Sequence, residues 1–218
     1  STKNYVTIED PVEYYFDTAG QVLIREKIGL TFPLVLRAIL RQDPDTILLG
    51  EIRDLETAEV AFHAALTGHQ VFSTLPTNSA AASIARLLDL GLKPFVIASA
   101  LECIVAQRLV RRICAECREG APVAPSLAAK FGNAFAHAFR GKGCPACHGT
   151  GYHGRLGLYE ILVPDDTLRD EISGGASALE IRASAKRLGA ATLIEDGYAK
   201  IREGLTTPEE VLRVLGPQ

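Results

Sequence analysis

The sequence predicts an α/β fold built on a parallel sheet, and three observations carry that prediction. Residues 4–9 form a short apolar run with β-branched members that closes on Glu9-Asp10, and residues 46–52 form a second that delivers Glu51. A third run, His69 to Leu75, is equally short. Helical periodicity fills the intervals between them, and alternation of strand and helix patterns is the signature of parallel strands buried on both faces.

The helices follow in order from their punctuation. Thr31 is placed to cap Phe32–Arg41, whose Phe32, Leu36, Ile39 and Leu40 share one face, and Asp54 is placed to cap Leu55–Leu66, which Gly68 ends. Two further helices are read over Ala80–Leu90 and Pro94–Val110, separated by Gly91; the second makes Cys103 a small core residue. Between Cys114 and Arg155 the chain turns rich in Cys, Gly, Pro and Ala, with a helical pattern only over Ser126–Phe139, so this stretch reads as an inserted knuckle. Arg155 to Val163 reads as a strand. Four short helices close the chain, over Thr167–Ile172, Ser177–Leu188, Leu193–Glu203 and Pro208–Leu215. Ser177 with Glu180, and Thr207 with Glu210, have capping-box spacing, and Gly189, Gly204 and Gly216 are the stops.

Composition excludes several classes of function. With 218 residues and 47% hydrophobic content the chain can build a real core, and its net charge of −3 offers no global attraction to nucleic acid, despite Arg108, Arg111 and Arg112. No apolar run is long enough to span a bilayer, and the start lacks the basic, apolar, small-residue order of a secretory signal, so the expectation is a cytoplasmic protein. The absence of Met and an opening Ser1-Thr2-Lys3-Asn4 that enters a strand at once are expected of a portion excised from a longer protein, although removal of an initiator Met before Ser1 would leave the same start.

The strongest local signal is a pair of C-x-x-C motifs, Cys114-Ala-Glu-Cys117 and Cys144-Pro-Ala-Cys147. Each pair grips one ion from a tight turn, and four thiolates at tetrahedral positions make a structural zinc site with no open coordination position. The glycines of Cys147-His148-Gly149-Thr150-Gly151 let backbone amides turn toward sulfur. Disulfides do not suit a cytosolic chain, and a haem-attachment reading of Cys144-x-x-Cys147-His148 leaves the first pair unexplained.

Ligands of parallel sheets bind beyond the carboxyl ends of the strands, so strand-end acids are candidates for nucleotide chemistry. Glu51 ends the most apolar strand and suits a magnesium-water ligand or a water-polarising base; Glu9 competes for that role. Each could instead cap a following turn. His69 is a candidate phosphate sensor, although a lone His is more often hydrogen-bonded structure. The phosphate-cradling pattern G-x-x-x-x-G-K-[ST] is absent: the one Gly-Lys pair, Gly141-Lys142, is followed by Gly143.

Here the segments Thr7–Glu13, Gly29–Phe32, Leu36–Asp45, Gly50–Asp54, Glu56–Ala58 and Ala64–His69 resemble, densely and in order, the secretion-ATPase superfamily whose members drive type II secretion and type IV pilus assembly. Gln107–Arg112, the two C-x-x-C pairs and Gly154–Glu160 continue the likeness. The resemblance implies a partial RecA-like core over 1–112, a zinc-binding subdomain over 113–155 and a small helical C-terminal subdomain over 156–218. It also implies ATP and Mg²⁺ as ligands of the intact enzyme, a homo-hexamer, and a cytoplasmic station on an inner-membrane platform protein. Carried over by position, Glu9 and Glu13 fall in the Asp box, Glu51 in Walker B and His69 at the start of the His box. Pilus-retraction ATPases of the superfamily lack the four-cysteine insert, so the likeness favours secretion or pilus assembly. One departure stands out: the family's Ser-Thr-Leu-His-Thr-Asn reads Ser73-Thr74-Leu75-Pro76-Thr77-Asn78, and Pro76 has neither a ring proton nor a backbone N–H to donate. Two other readings compete, a zinc-knuckle interaction module and a paralogue that docks without hydrolysing; the first leaves the acidic strand ends idle, and Pro76 alone supports the second.

Overall fold

The computed structural model describes residues 3–216; Ser1 and Thr2, part of the opening that reads as an excised start, lie outside the described residues. The chain forms two compact units, one made of residues up to Ile104 with Val163–Ala185, the other of Val105–Leu162 with the residues from Lys186 onward.

In the first unit, β1 (Tyr5–Glu9), β2 (Ala19–Leu23), β3 (Thr46–Leu49) and β4 (Gln70–Ser73) form one sheet in the order β2-β1-β3-β4, every pairing parallel. Ile8, Ile47 and Leu49 are fully buried in it. Helix α1 (Phe32–Ile39) supplies buried Leu36; α2 (Leu55–Leu66) starts at Asp54, whose side chain accepts from the Thr57 amide at 2.8 Å. Helix α3 (Ala80–Asp89) buries Ile84 and Leu87, α4 (Pro94–Ala100) buries Ile97, and α6 (Asp166–Ser173) packs on α4 with Arg169 donating to the Ala98 carbonyl at 2.6 Å. Strand β2 has no counterpart in the sequence reading. Its Ala-Gly-Gln-Val-Leu lacks an apolar run, and tertiary pairing rather than propensity makes it a strand.

The helix expected over Pro94–Val110 is corrected. It stops at Ala100, and Ile104–Ile113 is a ten-residue strand, β5, that pairs with β8 (Tyr152–Leu162) in the second unit. Buried Ala106 and Val110 are four residues apart, which satisfies the period of a strand and of a helix alike, but exposed Val105 and Leu109, each immediately before one of them, fit the alternation of a strand. Cys103 therefore lies outside any helix and is exposed, not a core residue.

The helix expected over Ser126–Phe139 is likewise shortened to α5 (Pro125–Ala129), because Gly132 and Asn133 take left-handed φ of 58° and 60°. Beyond them β7 (His137–Gly141) pairs antiparallel with β6 (Arg118–Pro122). Phe131 and Phe135 turn inward against Tyr198 of α8 (Leu193–Arg202), with ring centroids 5.3–5.8 Å apart. With Val110, Leu158, Ile201 and Val211 they form the core of this unit. The end of β7 runs close to the residue before β8: a Cβ on Gly141 would lie 2.0 Å from the Gly151 carbonyl oxygen, so only glycine allows this approach.

Helix α7 (Ala178–Arg187) opens with the expected box, the Ser177 and Glu180 side chains each accepting the other's amide. A second box, Thr192 with Glu195, opens α8. At α9 (Pro208–Leu215) half of the expected box forms: Thr207 accepts from the Glu210 amide, but the Glu210 carboxylate turns away to Arg111 and Arg213. Glu210 is 1% exposed and also accepts the Arg111 amide at 3.0 Å. Burial alone would raise its pKa, but the two guanidinia and that amide overcome it and hold the group at about 2. A carboxyl depressed in the fold stabilises above its ordinary range near 4.5 and loses that contribution as pH falls toward about 2. Glu210→Gln is expected to cost about 3 kcal/mol at neutral pH, since it leaves two cations facing a neutral amide, with the deficit to wild type closing in acid. Denaturant midpoints at pH 7 and pH 3 measure both; an equal deficit at the two pH values contradicts the assignment.

Candidate metal centre and strand-edge acids

The four cysteines meet although 26 residues of unrelated sequence separate the two motifs. Each C-x-x-C folds as a single 3-10 turn, Ala115–Cys117 and Pro145–Cys147, and all four sulfurs lie within 4.8 Å of one another. The Sγ separations are 3.8 Å for Cys114–Cys144 and for Cys117–Cys147 and 3.7 Å for Cys144–Cys147. A tetrahedral ion with bonds of about 2.3 Å needs an edge of about 3.8 Å, whereas a disulfide needs about 2.05 Å, so the donor set fits a closed tetrahedral metal.

Electrostatics supports the same conclusion. Burial pushes the Cys117 thiol up to about 12 and raises Cys114. Burial also acts upward on Cys147, but amide donation from Cys144 and Gly151, at 3.2 Å each, with the neighbouring thiols brings it down to about 6. Such a cluster cannot hold four thiolates unaided; a cation at its centre reverses that balance. The amides trim charge from sulfur, the role the glycines promised. His148, in the left-handed region at φ 50°, serves the turn and is not among the ligand group.

The sheet brings Glu9 and Glu51 together. They leave the carboxyl ends of adjacent strands β1 and β3, where the Gly50 amide donates to the Ile8 carbonyl at 2.8 Å and the Ile52 amide to the Thr74 carbonyl at 3.0 Å. Glu51 is thus clamped between two neighbours at the sheet edge. A Cβ on Gly50 would sit 3.0 Å from the Ile8 oxygen and 3.5 Å from the Glu9 Cα, so the backbone just before Glu51 runs close against the end of β1. Glu51 Oε1 accepts from Arg53 at 2.5 Å, and that bond raises the Arg53 pKa. Glu9 Oε1 accepts from Thr7 Oγ1 at 2.5 Å and from Gln21 Nε2 at 2.9 Å. Arg53, Thr7 and Gln21 escaped the sequence reading; a Thr two residues before a strand-end acid, on the same strand face, was the one available signal.

Glu13 is exposed on the loop that follows β1. Pro76, exposed three residues beyond the end of β4, lies past the same sheet edge. His69 does not: it precedes β4, a strand length of about 13 Å from the carboxyl edge. Its Nδ1 lies 3.0 Å from the Ala64 carbonyl, which can only accept, so that nitrogen is the donor. A cavity of about 480 Å³ in this unit is lined by Arg37, His63, Lys93, Phe95 and their neighbours, none of them a strand-end residue.

The sequence profile described as "Type II/IV secretion system protein" matches residues 1–213. The chain is 46% identical over 214 residues to the type II secretion system protein HxcR of Pseudomonas aeruginosa, covering 98% of this chain and 43% of that protein. It is 49% identical over 215 residues to the type IV pilus assembly ATPase PilB of Thermus thermophilus, covering 96% of this chain and 24% of that protein. Among solved structures, the pilus retraction motor PilT with bound ADP superposes with a TM-score of 0.70 at 30% identity, over 100% of this chain and 54% of that one. The chain therefore spans less than half the length of these curated relatives.

Proposed function

The chain belongs to the Type II/IV secretion system protein family, and from that premise we propose that it is the nucleotide-edge and metal-binding portion of an ATPase that powers type II secretion or type IV pilus assembly. The observation that carries the proposal is that adjacent parallel strands β1 and β3 end at one sheet edge, β1 on Glu9 and β3 two residues before Glu51. ATP with Mg²⁺ supplies the transferable phosphoryl group and its counter-charge. Glu51 would polarise the attacking water or order a magnesium-bound one, and Glu9 beside it would hold the complementary position. Arg53, tied to Glu51 at 2.5 Å, is placed to exchange that carboxylate for phosphate oxygens. Glu13 would act as an accessory acid on the loop at this edge. His69 would act through β4, as a group that senses strand position, since its nitrogen lies a strand length from the acids.

The four-cysteine group would hold zinc, on the thiolate donor set and the separations of 3.7–3.8 Å. In functional terms residues 1–112 would form the RecA-like nucleotide core, 113–155 the metal-binding subdomain and 156–218 the helical subdomain. The working assembly would be a homo-hexamer seated on a membrane platform protein at the cytoplasmic face; among the described residues no helix is long and apolar enough to cross a membrane itself.

The test compares this segment with the full-length protein. Because residues 1–218 contain no G-x-x-x-x-G-K-[ST] sequence, the isolated segment is expected to show no turnover above background, while the full-length protein hydrolyses ATP. Phosphate release measured on both decides the matter. Robust turnover by the segment alone, or none by the full-length protein, would overturn the reading.

A further inference from the structure

Glu9 is held in a way that its role as a strand-edge acid does not by itself require. Its Oε1 takes both donors, Thr7 Oγ1 and Gln21 Nε2, and among the described residues no hydrogen bond reaches Oε2. Thr7 and Gln21 are register partners across the parallel β1–β2 pair, and Thr7, two residues before Glu9, shares its strand face. One carboxylate oxygen is consequently saturated against the sheet and the other is left to the edge.

Gln21 has no freedom to do otherwise. Its Oε1 accepts the Phe16 amide at 2.7 Å, and its Nε2 donates to the Tyr14 carbonyl at 2.9 Å as well as to Glu9. A backbone donor and a backbone acceptor therefore fix which end of the amide is nitrogen, and the remaining N–H can only face a carboxylate. The same side chain pins the turn that carries exposed Tyr14, Tyr15 and Phe16. Strand β2, invisible in the hydrophobic pattern, acquires a purpose: it delivers this amide.

We propose that Gln21 is a positioning residue for Glu9: together with Thr7 it saturates Oε1 and thereby presents Oε2 to the magnesium-bound nucleotide. The inference rests on the reading of Glu9 as an acid of the nucleotide edge, and it adds a residue that acts on phosphate chemistry without touching it. Orienting partners of metal-side ligands characteristically change activity by roughly 10- to 100-fold when removed, because the ligand is still present but no longer aimed.

The experiment uses the full-length protein and the near-isosteric Gln21→Leu. The expected result is a fall in kcat of roughly 10- to 100-fold with KM for ATP within about twofold, and a higher magnesium concentration at half-maximal rate. A merely structural role would lower the thermal midpoint without moving the magnesium requirement. In the Glu9→Gln background, Gln21→Leu is expected to change the residual rate no further, since its only route to chemistry has been removed. Wild-type kcat for Gln21→Leu, or a further loss in that background, overturns the positioning role. Full activity of Glu9→Gln alone instead overturns the reading of Glu9, a separate outcome. Should Gln21→Leu fail to fold, Thr7→Val removes the other donor at nearly constant volume and is expected to shift the magnesium requirement in the same direction; no shift overturns the proposal.

Discussion

Glu51→Gln in the full-length protein is expected to keep nucleotide affinity within a few-fold and to lower turnover at least ~100-fold, the loss typical of a group that acts in the transition state. The swap preserves shape and hydrogen-bonding length while removing the charge proposed to polarise water or order magnesium. Little else in the structure should respond. Glu51 is fixed by the backbone on both sides, through Gly50 to Ile8 and Ile52 to Thr74, so its position does not depend on its own carboxylate. The contact it loses is the ion pair to Arg53, whose side chain is more than half exposed and whose contribution to stability is small for that reason. Nucleotide binding by fluorescence and phosphate release measured on the same preparation check the split. Parallel loss of binding and turnover would mean that Glu51 supports the ground state, and unaltered turnover would remove it from the site.

The parts of this architecture that were legible in the sequence are those with one consistent physical signal. Strands β1 and β3 are apolar runs bounded by acid and glycine, and α2 has a capping aspartate at its start and Gly68 at its end. The cysteine spacing carried the metal group because two turns of fixed geometry leave the sulfurs few arrangements. Where the reading failed, the deciding force was non-local. Strand β5 presents Ala106 and Val110 at a spacing common to both periods, and pairing with β8, over 40 residues on, resolves it as a strand. Glu210 has the spacing of a capping box, but Arg111, 99 residues away, outbids the local amide with a charge-assisted bond. The link from Gln21 to Glu9 depends on the register of β1 with β2 and was invisible for the same cause. The start of the third strand at His69 was legible, and the structure begins β4 one residue later, at Gln70.

The largest effect on the second unit should come from its metal group. The purified protein is expected to contain one zinc per chain, with four sulfurs at about 2.3 Å, measured by elemental analysis and X-ray absorption. Stripping it with a chelator leaves thiols that burial pushes toward neutrality, Cys117 the most, so the turns around Cys114–Cys117 and Cys144–Cys147 lose the ion that joined them. In small zinc peptides that ion contributes on the order of 10 kcal/mol to folding, but this unit has an independent core of Phe131, Phe135, Leu158, Ile201 and Val211. The consequence is local. Hydrogen exchange should accelerate across the two cysteine turns and the adjoining β6–β7 ribbon, which is held to the knuckle by the Lys142 amide to the Cys117 carbonyl and by the tight Gly141–Gly151 approach. Protection in α8 and α9 should persist. Because the ligands must be deprotonated, acidification should release the metal and reproduce the exchange pattern, and Cys147→Ser should do so at neutral pH. Metal well below one equivalent in protein never exposed to chelator, or cysteine turns whose exchange ignores chelation, would remove zinc from the design of this unit.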